Sequence, residues 1–255
     1  MSRAWMRCWP LMALVLLACD LRTPSARPLA FEIIAQHPHD PLAFTQGLQW
    51  HGDRLWESTG LYGKSSVREV NRETGEVIRR RDFPKHYFGE GLTVHGDHLW
   101  MLTWRERTVF VLDPETFEEV RTHAYPGEGW GLTSDGRHLI MSDGTSTLRF
   151  MSPDDFSEVR RVTVTENGKP LINLNELEYV DGAVYANIFM TDRIVRIDPR
   201  RGVVTASLDA SPLRAALPRP NRAEVLNGIA YDAATGHFLV TGKYWPSLFV
   251  IRLVE

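Results

Sequence analysis

The feature that most constrains this chain is a repeat. Five segments step into an apolar position, at Gly47-Leu48, Gly91-Leu92, Gly131-Leu132, Glu176-Leu177 and Gly228-Ile229, and these anchors lie 44, 40, 45 and 52 residues apart. In the first four a second apolar pair begins seven residues later, at Leu55, Leu99, Leu139 and Val184; in the fifth it begins at Phe238, after a longer turn. The intervening His51-Gly52-Asp53, His95-Gly96-Asp97, Ser134-Asp135-Gly136 and Asp181-Gly182 are hairpin chemistries, with Gly or Asp supplying the positive φ. A third element closes on a second turn, as at Leu112-Asp113-Pro114 and Ile197-Asp198-Pro199. Short alternating strands with almost no helical periodicity argue for an all-β chain. Four strands in a period of about 40–45 residues is the spacing of propeller blades. A solenoid would need capping repeats, and none is found. The last unit ends at Ile251-Arg252-Leu253 without an outer strand, while residues 31–35 form an unplaced strand at the other end. The expected fold is a five-bladed β-propeller over residues 31–255, closed by the N-terminal strand pairing with the last blade.

The repeat makes positions comparable within the chain. The residue before each step is Gln46, Glu90, Trp130, Asn175 or Asn227, and the residue five beyond the start of each second strand is Gly60, Trp104, Gly144, Phe189 or Lys243. One set opens the first strand and the other ends its antiparallel neighbour, so both fall at one end of the blades, opposite the hairpin turns. One carboxylate, one ammonium, three amides and three large aromatics therefore converge. Such a cluster marks a candidate site; a polar, water-filled channel is the plain alternative. Glu176 and Glu178 share the strand face opposite Asn175, and structural ion pairing is the competing reading for them. Most of the nine histidines fall in turns or near proline and read as surface residues. The chain has no His-Glu-x-x-His, no Cys/His cluster, no Gly-x-Ser-x-Gly elbow and no Gly-rich phosphate loop.

The N-terminus is of a different kind. Arg3 and Arg7 precede an apolar run over residues 11–17, which ends in Leu17-Ala18-Cys19. The run is too short to span a bilayer and reads as a secretory signal over residues 1–18. The Leu-x-Ala-Cys ending is similar to bacterial lipoprotein signals, in which the cysteine, here Cys19, becomes the lipidated first residue. Residues 19–30 read as a tether. Export to the periplasmic or cell-envelope side, with membrane attachment only through that lipid, is the expectation. Cys8 leaves with the signal, so no internal disulfide can form and the domain must hold by packing. Removing residues 1–18 takes the net charge from −3 to −5, because two arginines go with them. Nucleic acid, which calls for a basic stripe, is not an expected partner.

Several of these segments resemble the plant-type and bacterial glutaminyl-peptide cyclotransferases, a five-bladed propeller family. The matching stretches are Phe44-Thr45-Gln46-Gly47-Leu48, Phe88-Gly89-Glu90-Gly91-Leu92, Leu102-Thr103-Trp104, Gly127-Glu128-Gly129-Trp130-Gly131-Leu132, Asn175-Glu176-Leu177-Glu178, and Leu226-Asn227-Gly228-Ile229 with Gly242-Lys243-Tyr244-Trp245-Pro246. The resemblance implies that N-terminal glutamine of peptides or proteins is converted to pyroglutamate with release of ammonia. It implies Glu90 as the proton-handling carboxylate, with Gln46, Asn175 and Lys243 as polar pocket residues. Trp104, Trp130 and Phe189 are implied as aromatic walls, with Phe44, Phe88 and Asn227 as further substrate contacts. Phe189 stands where plant relatives are expected to carry tryptophan. No cofactor and no catalytic metal is expected, with a structural calcium left open, and a monomer is. Two other readings stay open. Glu90, Asn175 and Asn227 are oxygen ligands that resemble the central calcium site of propeller lactonases, although Lys243 would set a positive charge beside the ion. A non-enzymatic peptide- or ligand-binding propeller is the third.

Overall fold

The computed structural model describes residues 26–218 and 222–254, and nearly all of its regular structure is strand. Three antiparallel meanders of four strands come first. They are β2 (Thr45–His51) to β3 (Arg54–Thr59), β4 (Ser66–Val70) and β5 (Val77–Asp82); β6 (Gly89–His95) to β7 (His98–Thr103), β8 (Thr108–Leu112) and β9 (Glu119–Ala124); and β10 (Leu132–Ser134) to β11 (Leu139–Met141), β12 (Thr147–Met151) and β13 (Glu158–Thr163). A small hairpin, β14 (Thr165–Glu166) and β15 (Lys169–Pro170), follows. Next come β16 (Leu174–Val180), β17 (Ala183–Ile188), β18 (Arg193–Asp198) and β19 (Val203–Asp209), the one-and-a-half-turn helix α1 (Ser211–Ala215), and β20 (Leu226–Asp232), β21 (His237–Gly242) and β22 (Ser247–Val254). The N-terminal strand β1 (Arg27–Pro38) joins these last two groups, with the β14–β15 hairpin on β19, into one ten-stranded sheet. It runs antiparallel to β22 from Ala30 to Pro38, and its first residues, Arg27 to Leu29, lie parallel to β19. The strand anticipated over residues 31–35 is thus longer at both ends, and residues 27–30, read as tether, are part of it. The short helix and the β14–β15 hairpin were not visible as periodicity. The signal segment and Cys19 lie outside the described residues.

The first strand of each group touches the next: β2 with β6, β6 with β10, β10 with β16, β16 with β20, and β20 with β2. These strands close a ring and are buried almost throughout, whereas the outer β5, β9 and β13 leave most of their residues exposed or half-buried. The glycines of the repeat explain how closely the ring can draw in. A Cβ on Gly47 would stand 2.5 Å from the Leu92 nitrogen, and one on Gly91 2.5 Å from the Leu132 nitrogen. Backbone meets backbone there, so a side chain has no room.

Between neighbouring sheets lie the apolar layers. Trp56, Phe83, Met101, Phe110 and Phe117 fill one, and Trp100, Leu102, Tyr125 and Phe156 the next. Each such side chain contributes about 1.5–3 kcal/mol on full burial. The seam where β2–β5 meets the last strands is charged instead. His39, buried and not on the surface as its position beside proline suggested, bridges the Trp245 carbonyl at 2.8 Å and Glu57 at 3.0 Å. Glu57 also receives Arg68 at 2.6 Å, and Arg68 reaches Asp40 at 2.7 Å. Despite burial, the charges of Arg68 and His39 hold the Glu57 carboxyl at about 2.

Candidate active site

In every meander the turns between first and second strands sit at one end, and the segments entering the first strand sit at the other. The hairpins are made with the anticipated residues: Gly52 and Asp53, and Asp181 and Gly182, all have positive φ. At the opposite end four of the inner hairpins carry a register shift, between Thr45 and Gly47, Gly89 and Leu92, Leu174 and Leu177, and Leu226 and Ile229. These bulges contain Gln46, Glu90, Asn175 and Asn227. A bulge breaks the alternation of side chains and re-aims one of them, which is how residues at the rim of a buried ring come to face its centre.

A cavity of about 270 Å³ opens at this end, lined by Phe44, Gln46, Leu61, Phe88, Glu90, Trp104, Trp130, Asn175, Phe189 and Lys243. Nine of the ten side chains anticipated for the site line it. The tenth, Asn227, does not: its amide nitrogen donates to the Thr45 carbonyl at 2.9 Å and to Gln46 Oε1 at 3.2 Å. It sits fully buried behind Gln46 and orients that side chain. The oxygen trio of the lactonase reading is therefore not gathered on this cavity. Among the described residues no cluster of three or more His, Cys, Asp or Glu converges as a metal site.

The wall is a continuous girdle. Phe44 packs edge-on to Phe88 at 6.1 Å, Phe88 lies 5.5 Å from Trp104, and Trp130 meets Phe189 at 5.4 Å. Lys243 Nζ bridges one gap, 4.5 Å from the Phe44 ring and 5.5 Å from that of Phe189. Glu128 bridges the other. Its Oε2 accepts the indole N–H of Trp104 at 2.8 Å and of Trp130 at 3.1 Å, while Oε1 accepts from Arg105 at 3.0 Å. Two repeat glycines seat the rings. A Cβ on Gly60 would collide with Phe88, and one on Gly144 would lie 2.6 Å from the Trp130 ring.

Polar groups form the floor. Glu90, Lys243, Asn175 and Gln46 are buried, at 3–5 % exposure, yet the side chains of Glu90, Lys243 and Asn175 have no hydrogen-bond partner among the described residues. Burial pushes the Glu90 carboxyl well above its usual range; Lys243 pulls it down and Glu128 and Glu106 push it up. Burial likewise lowers Lys243, against the opposing charges of Glu90 and Glu224. A carboxyl with a raised pKa, a lysine and two amides thus face a largely apolar cavity. Glu176 and Glu178 do not line the cavity and have no ion pair among the described residues. Glu176 accepts the backbone N–H of Leu48 at 3.3 Å and of Ile229 at 2.8 Å, and Glu178 that of Tyr231 at 3.0 Å.

Two lining or supporting residues escaped the sequence reading. Leu61 follows the repeat position Gly60 on a loop with no periodic signal. Glu128 lies in the Gly127-Glu128-Gly129-Trp130 stretch, and a carboxylate between two glycines just before a site tryptophan was the available cue.

Known proteins share this organisation. The family model described as glutamine cyclotransferase matches residues 10–253. A glutaminyl-peptide cyclotransferase of Arabidopsis thaliana is 44% identical over 228 residues, covering 88% of this chain and 71% of the plant protein. The crystal structure of Myxococcus xanthus glutaminyl cyclase superposes with a TM-score of 0.83 at 37% identity, over 90% of this chain and all of the other. With the girdle, the buried carboxyl and these matches running nearly the length of the chain, the protein belongs to the glutamine cyclotransferase family.

Proposed function

We propose that this enzyme cyclises N-terminal glutamine of peptides or proteins to pyroglutamate in the girdled cavity, with Glu90 moving the proton. The observation that carries the reading is Glu90 itself: buried, unpartnered and facing a cavity of about 270 Å³. A peptide's α-ammonium has a pKa of about 7.7–8.0. An ordinary carboxylate is a poor base toward it, and the upward push of burial makes Glu90 a stronger one. Glu90 takes the ammonium proton, and the freed nitrogen attacks the γ-amide carbon. Lys243 and the amides of Gln46 and Asn175 stabilise the oxyanion. Glu90 returns that proton to the γ-nitrogen, the carbon–nitrogen bond breaks, and the second proton, given up by the ring nitrogen, joins the leaving ammonia, so that ammonium departs with the charge the amine brought. Five-membered ring closure needs chiefly the folded near-attack conformer, which Trp104, Trp130, Phe189, Phe44 and Phe88 enforce by packing on the methylenes and excluding water.

The architecture we infer is a five-bladed propeller, with β20–β22 and β1 as the fifth blade. Strand β1 closes the ring by supplying that blade's outer strand. Export and lipidation at Cys19, with the domain a monomer on its tether, complete the reading. Native mass measurement of the protein extracted from the cell envelope tests both, and an unmodified cysteine or a dimer would overturn the corresponding part.

The reaction is tested by following ammonia release and peptide mass on a short Gln-initiated peptide, with and without EDTA. Metal-independent turnover is expected, falling about 10²–10⁴-fold in Glu90→Gln. A Glu90→Gln protein that keeps most of its activity overturns the assignment.

A further inference from the structure

The girdled cavity is small. At about 270 Å³ it falls just below the roughly 300–1,000 Å³ typical of small-molecule sites, so it suits one residue, and the rest of a peptide must lie elsewhere. A second cavity, of about 490 Å³, shares the Phe44–Leu61 wall with it and runs outward over the β2–β5 sheet. Leu42, Lys64, Arg80 and Tyr244 contribute to its lining. It is formed by the loops before β2 and between β3 and β4 together with Thr59, Arg68 and Arg80 of β3, β4 and β5, with Tyr244 packed on Phe44 at 5.4 Å.

Charge distinguishes this side of the mouth. Three cations, Lys64, Arg68 and Arg80, line the groove against one carboxylate, Asp40. Arg68 is buried and held by Glu57 and Asp40, and Arg80 is bonded to Asp82 at 2.6 Å. Lys64 is exposed, and its ammonium has no partner among the described residues. On the other side of the Leu61 ridge, toward Trp104, stand Glu106, which accepts the Tyr62 hydroxyl at 3.0 Å and the Phe88 N–H at 3.1 Å, and Glu128, against Arg105. A chain leaving the cavity over the Phe44–Leu61 ridge meets an uncompensated positive charge; one leaving over Trp104 meets a negative excess.

We propose that the groove beside Phe44 and Leu61 binds the substrate residues that follow glutamine, and that Lys64 makes it favour acidic side chains there. The inference rests on the cyclisation reading above. It makes Lys64 a specificity residue for long substrates and sets the direction in which they leave the cavity. An exposed pair of this kind is weak and screened by salt, so the preference is graded.

The test compares C-terminally amidated Gln-Glu-Glu-Ala and Gln-Lys-Lys-Ala, each kcat/KM divided by that on glutamine amide. The wild type is expected to prefer the acidic peptide. Lys64→Glu should reduce the ratio of acidic to basic peptide by about fivefold or more at low salt, with a smaller change at high salt. Arg137→Glu, at the turn end, matches the net-charge change and should leave the ratio in place. An unaltered ratio in Lys64→Glu, with glutamine amide turned over normally by the wild type, overturns the groove and leaves the reaction standing. Failure of the wild type to cyclise glutamine amide overturns the reaction and, with it, the groove.

Discussion

Glu90 and Glu176 are both buried carboxyls at the inner ring, and desolvation drives both well above the usual carboxylate range. Their surroundings differ. Glu90 has no donor among the described residues, whereas Glu176 receives two backbone N–H groups, those of Leu48 and Ile229. Glu176 occupies the ring position filled by Gly47, Gly91, Gly131 and Gly228 in the other groups. Elsewhere the glycines let neighbouring first strands meet backbone to backbone. Here a carboxyl spans from β16 to both β20 and β2, satisfying amides that would otherwise be orphaned at the ring's inner edge. Burial alone thus does not separate the two carboxyls; their hydrogen bonding does.

The sharpest way to break that comparison is to substitute both. Glu90→Gln should lose activity by about the 10²–10⁴-fold given above while its thermal unfolding stays near wild type, because no side-chain hydrogen bond among the described residues is removed. Glu176→Ala should do the reverse. It strands two buried N–H groups at about 1–3 kcal/mol each and keeps kcat per folded molecule. Chemical denaturation and single-turnover assays on the pair decide it, and a Glu176→Ala protein that is stable but inactive would merge the two roles.

A smaller effect follows from pH. Burial raises Glu178 to about 8 from an ordinary 4.5, against the hydrogen bonds it accepts. Its folded state therefore holds a proton that the unfolded state releases. The associated stability is full below about pH 4.5 and is lost as pH rises toward 8, at up to about 1.4 kcal/mol per pH unit. Glu57, paired with Arg68 and His39 at the seam and held at about 2, has the opposite sign: its contribution is present above 4.5 and fades as pH falls toward 2. Denaturation midpoints from pH 5 to 8 should decline in the wild type and decline less steeply in Glu178→Gln, where Glu90 and Glu176 still carry part of the slope, whereas Glu57→Gln should weaken the protein throughout that range. Parallel slopes in wild type and Glu178→Gln would refute the assignment.

How much of this was legible in the sequence depends on whether the repeat carried it. The spacing of Leu48, Leu92, Leu132, Leu177 and Ile229 placed the strands, and the residue preceding each step located Glu90, Asn175 and Gln46 at one end. The same logic put Asn227 in the cavity. It does reach the ring, but its bulge turns its amide onto Gln46, and a one-residue rotation leaves no trace in periodicity. Loop contacts were invisible for a related reason. Glu128 reaches two indoles from neighbouring sheets, and Leu61 turns in beside Phe88, contacts that depend on tertiary approach. His39 looked like a surface histidine because its partners, Glu57 and the Trp245 carbonyl, lie 18 and 206 residues away. The start of β1 at Arg27 was hidden by Pro28, which punctuates a chain locally yet is tolerated at the first residues of a strand.

The smallest effect tests whether the girdle and the floor are one device. Glu128 is over a third exposed, its carboxyl held low, against burial, by the hydrogen bonds from Trp130, Trp104 and Arg105. Its negative charge is one of those that raise Glu90. In Glu128→Gln that charge is gone, so Glu90 loses part of its upward push and stays ionised to lower pH. The acid limb of the kcat/KM profile should move to lower pH, modestly, and the shift should shrink as salt is added because the pair is reached through solvent. The amide oxygen can still accept from the two indoles, so the walls stay largely in place and KM should change less than the limb. Glu128→Ala removes the acceptor as well. It should give the same displacement of the limb together with a raised KM, as Trp104 and Trp130 lose their common partner. If both variants raise KM equally and neither moves the limb, Glu128 only holds the walls, and the proton chemistry at Glu90 is set by burial and Lys243.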